Sequence, residues 1–183
     1  MAKVASSDSV FVKQERIAGQ ASAAPQASGV EQLRAAYVVT PSPLLAASAW
    51  VAYRDQFLNS SAQTQISEIR KGAAARNLIG MAEALHVPRE RVYELVGLSA
   101  STAKRKLAKD EMLDPLMTER LTRLGAIERL AEDTFGDALL ASEWLQTINI
   151  GLGNVTPLSM LDTEIGCREV SRVLNAISYG GAA

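Results

Sequence analysis

The sequence lacks the side chains from which most protein metal sites and all internal disulfides are built. It contains one cysteine, Cys167, and one histidine, His86, among 183 residues. A single cysteine has no partner within the chain, and together these two residues supply too few ligands for a tetrahedral zinc site. We therefore expect no disulfide, no bound metal and no cofactor.

Long apolar runs are also missing. None approaches the roughly 20 residues that a membrane-spanning helix needs, and no basic segment followed by an apolar one marks the N-terminus. These absences predict a cytoplasmic protein without membrane contact. The hydrophobic content of 48% is nevertheless enough to build a core.

Alternating and β-branched runs typical of strands are absent as well, and apolar residues instead repeat at spacings of three and four. The sequence therefore predicts an all-α fold. We expect a disordered, Ala- and Ser-rich tail over residues 1–29, a helical N-terminal region with a helix-turn-helix over 30–110, and a helical C-terminal domain over 111–183. Within the second region, a short helix is predicted over 30–39 and a largely apolar one over 43–58.

Catalytic patterns are not found. His86 has no Ser or Cys nucleophile in motif context, and Cys167 lies on an apolar helix, where an inert thiol is usual. The glycines at 151 and 153 follow a helix rather than a strand and have no lysine, which argues against a phosphate loop. Glu164 and Glu169 are interpreted as isolated surface acids. We expect no enzyme.

Charge is distributed unevenly along the chain. Residues 1–109 hold 14 Lys and Arg against 8 Asp and Glu, whereas residues 110–183 hold 5 against 12. The net charges are thus +6 and −7 within a chain whose total is −1. The basic part suits a polyanion such as DNA, and the acidic part suits a basic protein surface.

A helix-turn-helix is indicated between Ala73 and Lys109. Leu78, Met81, Ala82 and Leu85 form the apolar face of a first helix, and Pro88 opens a second. Gly97 can supply the positive φ of a tight turn, and Ser99 can cap the next helix. On that helix Ala103 and Leu107 face inward, which turns a basic face outward. We predict DNA contacts from Ser101, Thr102, Lys104, Arg105, Lys106 and Lys109 on this recognition helix, and from Arg89 and Arg91 on the preceding one.

The segment from Trp144 to Gly180 has a specific order of residues. Trp144-Leu145 is followed by Asn149, Leu152-Gly153, Thr156-Pro157-Leu158, Leu161, Thr163, Gly166, Val170, Leu174, Ile177 and Gly180. This order resembles the toxin-binding domain of the Xre/MbcA/ParS family of antitoxins. The resemblance covers the last sixty residues closely and the helix-turn-helix more loosely. Ile148 and Asn154 depart from the pattern, in which Pro and Gly are usual.

The resemblance implies a type II toxin-antitoxin system in which the partner is a RES-domain toxin that degrades NAD. It further implies that the C-terminal domain covers the NAD cleft of the toxin. Thr156-Pro157 is expected to restart a helix after an exposed glycine loop. The toxin-binding residues expected on this basis are Gly151, Gly153, Asn154, Thr156, Pro157, Gly166, Arg168, Arg172 and Tyr179.

Two other classes of function are possible readings of the sequence beside the antitoxin. A transcriptional regulator with a C-terminal dimerisation domain and no toxin partner would need only the basic recognition helix. A small helical enzyme would need a catalytic constellation, which is missing. For the antitoxin and for the transcriptional regulator alike, we expect a homodimer on operator DNA. The reason is that the helices at 43–58 and 117–134 carry more apolar surface than a small monomer buries.

Overall fold

The computed structural model describes residues 42–180, so the predictions for 1–29 and 30–39 lie outside the described part. This part is helical and contains no strand, which confirms the all-α prediction for it. Its isolated antiparallel bridges join Ala74 to Met112 and Asn149 to Val155. The helices are α1 (Pro43–Leu58), α2 (Ala62–Lys71), α3 (Asn77–Ala84), α4 (Arg89–Val96), α5 (Ala100–Ala108), α6 (Pro115–Phe135), α7 (Ala138–Gln146), α8 (Pro157–Met160) and α9 (Glu164–Ser178), with a 3₁₀ helix at Ile150–Leu152.

Most of these helices begin where a short polar side chain accepts a hydrogen bond from the first turn. Ser42, Ser99 and Asp137 each accept from the backbone N–H three residues later, at the starts of α1, α5 and α7. Asp114 and Thr163 do the same for α6 and α9. A cap of this kind is worth about 1 kcal/mol. The predicted helix start at Ser99 is confirmed.

The helix expected to restart at Thr156 is only one turn long. α8 ends at Met160, and the Thr156 hydroxyl makes no capping hydrogen bond. Helix resumes at Glu164, where the hydroxyl of Thr163 accepts from the N–H of Gly166 at 3.0 Å. The break places Leu161 in the core, with 2% of its surface exposed. Burial of this side chain and the cap at Thr163 together favour a new helix over a continuous one.

α6 is the element on which both ends of the described chain pack. It buries Leu121, Leu124 and Ile127, and its neighbours include α1, α2 and α4 as well as α7 and α9. The buried residues of the helix-turn-helix and those of α9 belong to one continuous hydrophobic cluster. The helix-turn-helix therefore has no separate core of its own, because α6 closes it from the C-terminal side. The domain boundary at residue 110 stays a prediction.

Buried charges also join α1 to α6. The indole N–H of Trp50 donates to Glu128 Oε2 at 2.7 Å, and Arg54 donates to both carboxylate oxygens of Glu132 at 2.8 and 2.7 Å. Arg54 is 2% exposed and lies 3.4 Å from Glu128. Burial raises the pKa of Glu128 to about 7, although Arg54 and Trp50 act in the opposite direction. Removing one member of such a cluster leaves an uncompensated charge in the core.

Candidate functional site

The turn between α4 and α5 positions the predicted recognition helix. Gly97 has a left-handed backbone with φ of 77°, and the N–H of Leu98 donates to the carbonyl of Tyr93 at 2.8 Å. Glycine adopts this conformation without strain from a Cβ and lets the chain turn sharply. Arg120 on α6 donates to the carbonyl of Val96 at 3.3 Å and so fastens the turn to the core. The predicted helix-turn-helix is confirmed.

α5 turns one face to the core and the other to solvent. Ala103 is fully buried and Leu107 packs against the core, as their spacing of four predicted. Hydroxyl-bearing and basic side chains on the opposite face can reach base edges or phosphates. The predicted DNA-binding residues that this face exposes are Ser101, Lys104, Arg105 and Lys109.

Two other predicted DNA-binding residues of α5 support the ends of the helix. Thr102 donates its N–H to the hydroxyl of Ser99 at 3.3 Å and accepts from the same hydroxyl at 2.9 Å. Lys106 donates to the carbonyl of Met112 at 2.8 Å, and its side chain is 15% exposed. Since these groups are already engaged and half-buried, their placement favours a structural role over a DNA contact.

The remaining predicted DNA-binding cations differ in whether an acid already pairs with them. The pairs are Arg89 with Glu83 at 3.1 Å, Arg91 with Glu94 at 3.0 Å, and Arg105 with Glu111 at 2.8 Å. All are at least partly exposed, so each is worth at most about 1 kcal/mol and can be exchanged for a phosphate. Lys104 and Lys109 make no ion pair with any residue between 42 and 180.

The loop between α7 and α8 is tightly folded. Asn149 donates its N–H to the carbonyl of Val155, and its own carbonyl accepts from the N–H of Asn154, both at 3.0 Å. Gly153 and Asn154 have φ of 80° and 64°, a conformation that glycine and asparagine adopt at the lowest cost. Gly151, Gly153 and Asn154 are exposed, as predicted.

Pro157 and Gly166 are buried, and Thr156 is half-buried. A Cβ added at Gly166 would lie 1.9 Å from the carbonyl oxygen of Met160, so only glycine lets α9 pass this closely over the end of α8. The burial of Pro157 and Gly166 favours a role in shaping the loop and the approach of α9. A direct toxin contact by these two residues stays a prediction.

The outer face of α9 carries a continuous stripe of exposed side chains. Its members follow one another at spacings of three and four and are Ile165, Arg168, Arg172, Asn175 and Tyr179. Ile165 is 67% exposed and Tyr179 is 89% exposed. The opposite face buries Val170, Val173 and Leu174. Exposed aromatic, aliphatic and arginine side chains on one face are typical of surfaces that another protein covers.

Sequence reasoning missed further exposed apolar side chains around the loop. Ile148 and Ile150 are 64% and 84% exposed, and Leu139 and Leu140 on the first turn of α7 are about half exposed. The signal that could have found Ile148 and Ile150 is their position after the end of α7, where no helical period directs them inward.

Cys167 and His86, the residues with possible chemical roles, lie in ordinary structural positions. Cys167 is buried, and this burial raises the pKa of its thiol; its Sγ donates to the carbonyl of Leu161 at 3.6 Å. His86 is exposed just beyond α3 with φ of 51°. Between residues 42 and 180 no group of three or more His, Cys, Asp or Glu side chains is arranged to hold a metal. No helix in this range is both long and apolar enough to cross a bilayer.

The helix-turn-helix and the C-terminal region each match a model of a known protein family. A family model described as the antitoxin Xre/MbcA/ParS C-terminal toxin-binding domain matches residues 130–180. A second model, described as the antitoxin Xre-like helix-turn-helix domain, matches residues 64–125. The helix-turn-helix match ends and the toxin-binding match begins within α6, the helix on which both regions pack.

Individual relatives show the same similarity. A protein of Sphingobium sp. (strain YBL2) named Prs ADP-ribosylating antitoxin is 33% identical over 128 residues, which cover 65% of this chain and 80% of that protein. Antitoxin Xre of Pseudomonas putida is 30% identical over 117 residues, covering 62% of this chain and 70% of the relative. Antitoxin Xre of Yersinia enterocolitica is 30% identical over 95 residues, covering 51% and 64%.

Proposed function

Because the chain belongs to the Xre/MbcA/ParS-type antitoxins, we propose that it neutralises a cognate toxin through its C-terminal helices and represses its own operon through its helix-turn-helix. The chain has the helix-turn-helix and the toxin-binding domain of this family. The identity of the toxin, the mode of neutralisation and autoregulation are the proposed parts.

The proposed toxin is a RES-domain protein that degrades NAD. Support for an NAD-consuming partner comes from the Sphingobium relative, whose name refers to ADP-ribosylation, a reaction that takes its ADP-ribose group from NAD. The antitoxin acts by occlusion of the NAD cleft. Occlusion requires complementary shape and charge but no catalytic residue, so the chain is not an enzyme in this proposal.

The observation that carries the proposal is the exposed apolar surface of the C-terminal region. Ile150, Ile165 and Tyr179 are 84%, 67% and 89% exposed. Large apolar side chains in water are unfavourable, and a partner surface that covers them removes this cost. The same region holds 5 basic against 12 acidic residues after position 109, which disfavours a polyanion. Both properties support a protein partner.

Co-expression with the toxin-sized product of the adjacent reading frame tests this function. We expect the double substitution Ile165→Glu and Tyr179→Glu to weaken toxin binding at least about tenfold, since buried anchor residues typically contribute 1 kcal/mol or more each. Growth, cellular NAD and the affinity of the purified complex are the measurements. Ile66→Glu is the matched control, because Ile66 is an exposed isoleucine on α2, with 43% of its surface accessible.

Full protection of NAD and growth by the double variant would show that the toxin contacts lie elsewhere. If the wild-type chain fails to bind the adjacent product, the antitoxin function itself is wrong for this chain. The alternative, a helix-turn-helix regulator with a C-terminal dimerisation domain, would then explain the recognition helix alone.

The DNA-binding part rests on the exposed basic face of α5. Replacing Lys104 and Arg105 with Ala is expected to cost about 1–3 kcal/mol each in operator binding, while toxin neutralisation is retained. A gel shift with DNA from upstream of the gene measures the loss. Lys71→Ala is the control, because Lys71 lies on α2 and pairs with Glu68 at 2.7 Å. An unchanged gel shift for the double variant would refute the assignment of α5.

We also propose that the chain is a homodimer through the outer face of α1. The exposed residues of α1 are uncharged, the partly exposed Asp55 pairs with Arg129, and Leu44 and Leu45 are 81% and 65% exposed. A second copy would cover these residues, and two recognition helices related by a two-fold axis would read two half-sites. Light scattering should give twice the chain mass of 19.6 kDa, and Leu45→Glu with Ala49→Glu should give a monomer. A monomeric wild-type chain at micromolar concentration would contradict the proposal.

A further inference from the structure

Two acids follow the recognition helix directly, at a position where acids are unfavourable. Asp110 and Glu111 come just after α5, whose C-terminal end carries the negative end of the helix dipole. Acids at this end cost stability unless cations compensate them. Here each has an arginine partner: Arg76 pairs with Asp110 at 3.1 Å, and Arg105 pairs with Glu111 at 2.8 Å.

The backbone fixes the position of Glu111. Asp110 has φ of 48°, and its N–H donates to the carbonyl of Leu107 at 3.3 Å. The N–H of Glu111 donates to the carbonyl of Lys106 at 2.9 Å, and the Glu111 carbonyl accepts from the N–H of Ala75 at 3.0 Å. The two bonds back to α5 form a Schellman motif, which reverses the chain. The reversal returns the Glu111 carboxylate to the side of the recognition helix.

The carboxylate of Glu111 forms an ion pair with the guanidinium of Arg105. Arg105 Nη1 lies 2.8 Å from Glu111 Oε1 and 3.0 Å from Oε2, and Lys106 Nζ lies 3.6 Å from Oε2. The Arg105 side chain is 51% exposed, so a phosphate can reach it and replace the carboxylate. Lys104, one residue earlier, has no such partner between residues 42 and 180.

We propose that Glu111 is an autoinhibitory residue, which competes with DNA phosphate for Arg105 and thereby weakens binding to DNA of any sequence. The inference rests on the proposed DNA binding by α5. On a random sequence Arg105 gains one phosphate and loses Glu111, so the exchange contributes little. At the operator a bidentate contact to a guanine can replace the carboxylate, but the cost of releasing Glu111 is the same. Glu111 therefore weakens non-specific binding and operator binding by the same factor.

Glu111→Gln tests the proposal, with two duplexes of equal length as probes: DNA from upstream of the gene and its scrambled sequence. We expect the variant to bind both duplexes about threefold to fivefold more tightly at moderate salt, the range that a partly exposed ion pair allows. The dependence of log affinity on log salt should steepen by up to about 0.9, because the binding face carries one more net positive charge. The ratio of the two affinities should stay unchanged.

Two further variants separate this role from a general effect of charge or folding. Asp133→Asn removes the same charge from a side chain that is 57% exposed and pairs with Arg129 on α6, and it should leave both affinities unchanged. In the Arg105→Ala background, Glu111→Gln should no longer tighten binding to the scrambled duplex, because Glu111 acts through Arg105.

Equal affinities of Glu111→Gln and wild type for the scrambled duplex at every salt concentration would overturn the inference. So would an equal gain in Asp133→Asn, or a gain that persists without Arg105. These outcomes differ from failure of the proposed function, in which the wild-type chain itself shows no preference for the upstream DNA.

Discussion

The surface around α5 and the surface around α9 differ in what they leave exposed to water. The first is basic and polar, and its cations, such as Arg105, are partly held by acids of the same chain. The second exposes large apolar side chains, among them Ile150 and Tyr179. DNA is bound by exchange of ion pairs, whereas a protein partner removes apolar surface from water. The difference keeps the two proposed partners from competing for one surface.

The two surfaces nevertheless rest on shared packing. α6 contacts the helix-turn-helix through Arg120 and buries the inner face of α9. The binding properties of the two surfaces can therefore be changed independently only by substitutions of exposed residues. Substitutions inside the core are expected to affect both surfaces together.

The largest expected effect is the loss of both surfaces when the buried charges are broken. Arg54→Met leaves Glu128 and Glu132 without their buried cation and should lower the free energy of unfolding by about 3–5 kcal/mol. Urea denaturation followed by circular dichroism measures it. Arg129→Met removes an arginine that is 43% exposed and should cost less than about 1 kcal/mol. Equal losses for the two variants would mean that the buried cluster does not hold α1 on α6.

The next effect is a pH dependence centred on the same cluster. The pKa of Glu128 is about 7 in the folded chain, above its ordinary value of 4.5. The folded chain keeps a proton that the unfolded chain releases, so the contribution of Glu128 to stability falls as pH rises from 4.5 to about 7 and is constant above. Between those pH limits, Glu128→Gln should gain up to about 3 kcal/mol relative to wild type. Unfolding at several pH values measures the gain, and a difference independent of pH would contradict it.

The smallest expected effect comes from two matched N-cap substitutions, which test whether the two surfaces respond separately. Ser99→Ala removes the N-cap of α5, and Thr163→Ala removes the N-cap of α9. Each should cost about 1 kcal/mol of stability. Operator affinity should fall more for Ser99→Ala and toxin affinity more for Thr163→Ala. Both variants losing the two affinities equally would argue that the surfaces are not separable.

Local rules were sufficient to predict the helix-turn-helix from the sequence. Gly97, Ser99 and Ala103 act through a turn, a cap and a helical spacing, each of which depends on neighbours within a few residues. The exposed glycine loop before Thr156-Pro157 was predicted for the same reason.

Features that depend on distant parts of the chain could not be predicted in this way. Arg54 and Glu132 are 78 positions apart in the sequence, so no spacing connects them. The burial of Gly166 depends on how α9 crosses the carbonyl of Met160. The pairing of Arg105 with Glu111 depends on the left-handed backbone of Asp110, which an aspartate adopts only where the surrounding structure holds it.

The position of α6 has a consequence for how the molecule opens. Its 21 residues pack against α4 of the helix-turn-helix and against α7 and α9, so release of either region exposes apolar surface of α6. The backbone amides of α6 should therefore exchange with deuterated solvent only through global unfolding, while those of the loop at 149–155 exchange through local opening. The core of the described part then unfolds as one cooperative unit, and local opening is confined to its outer elements.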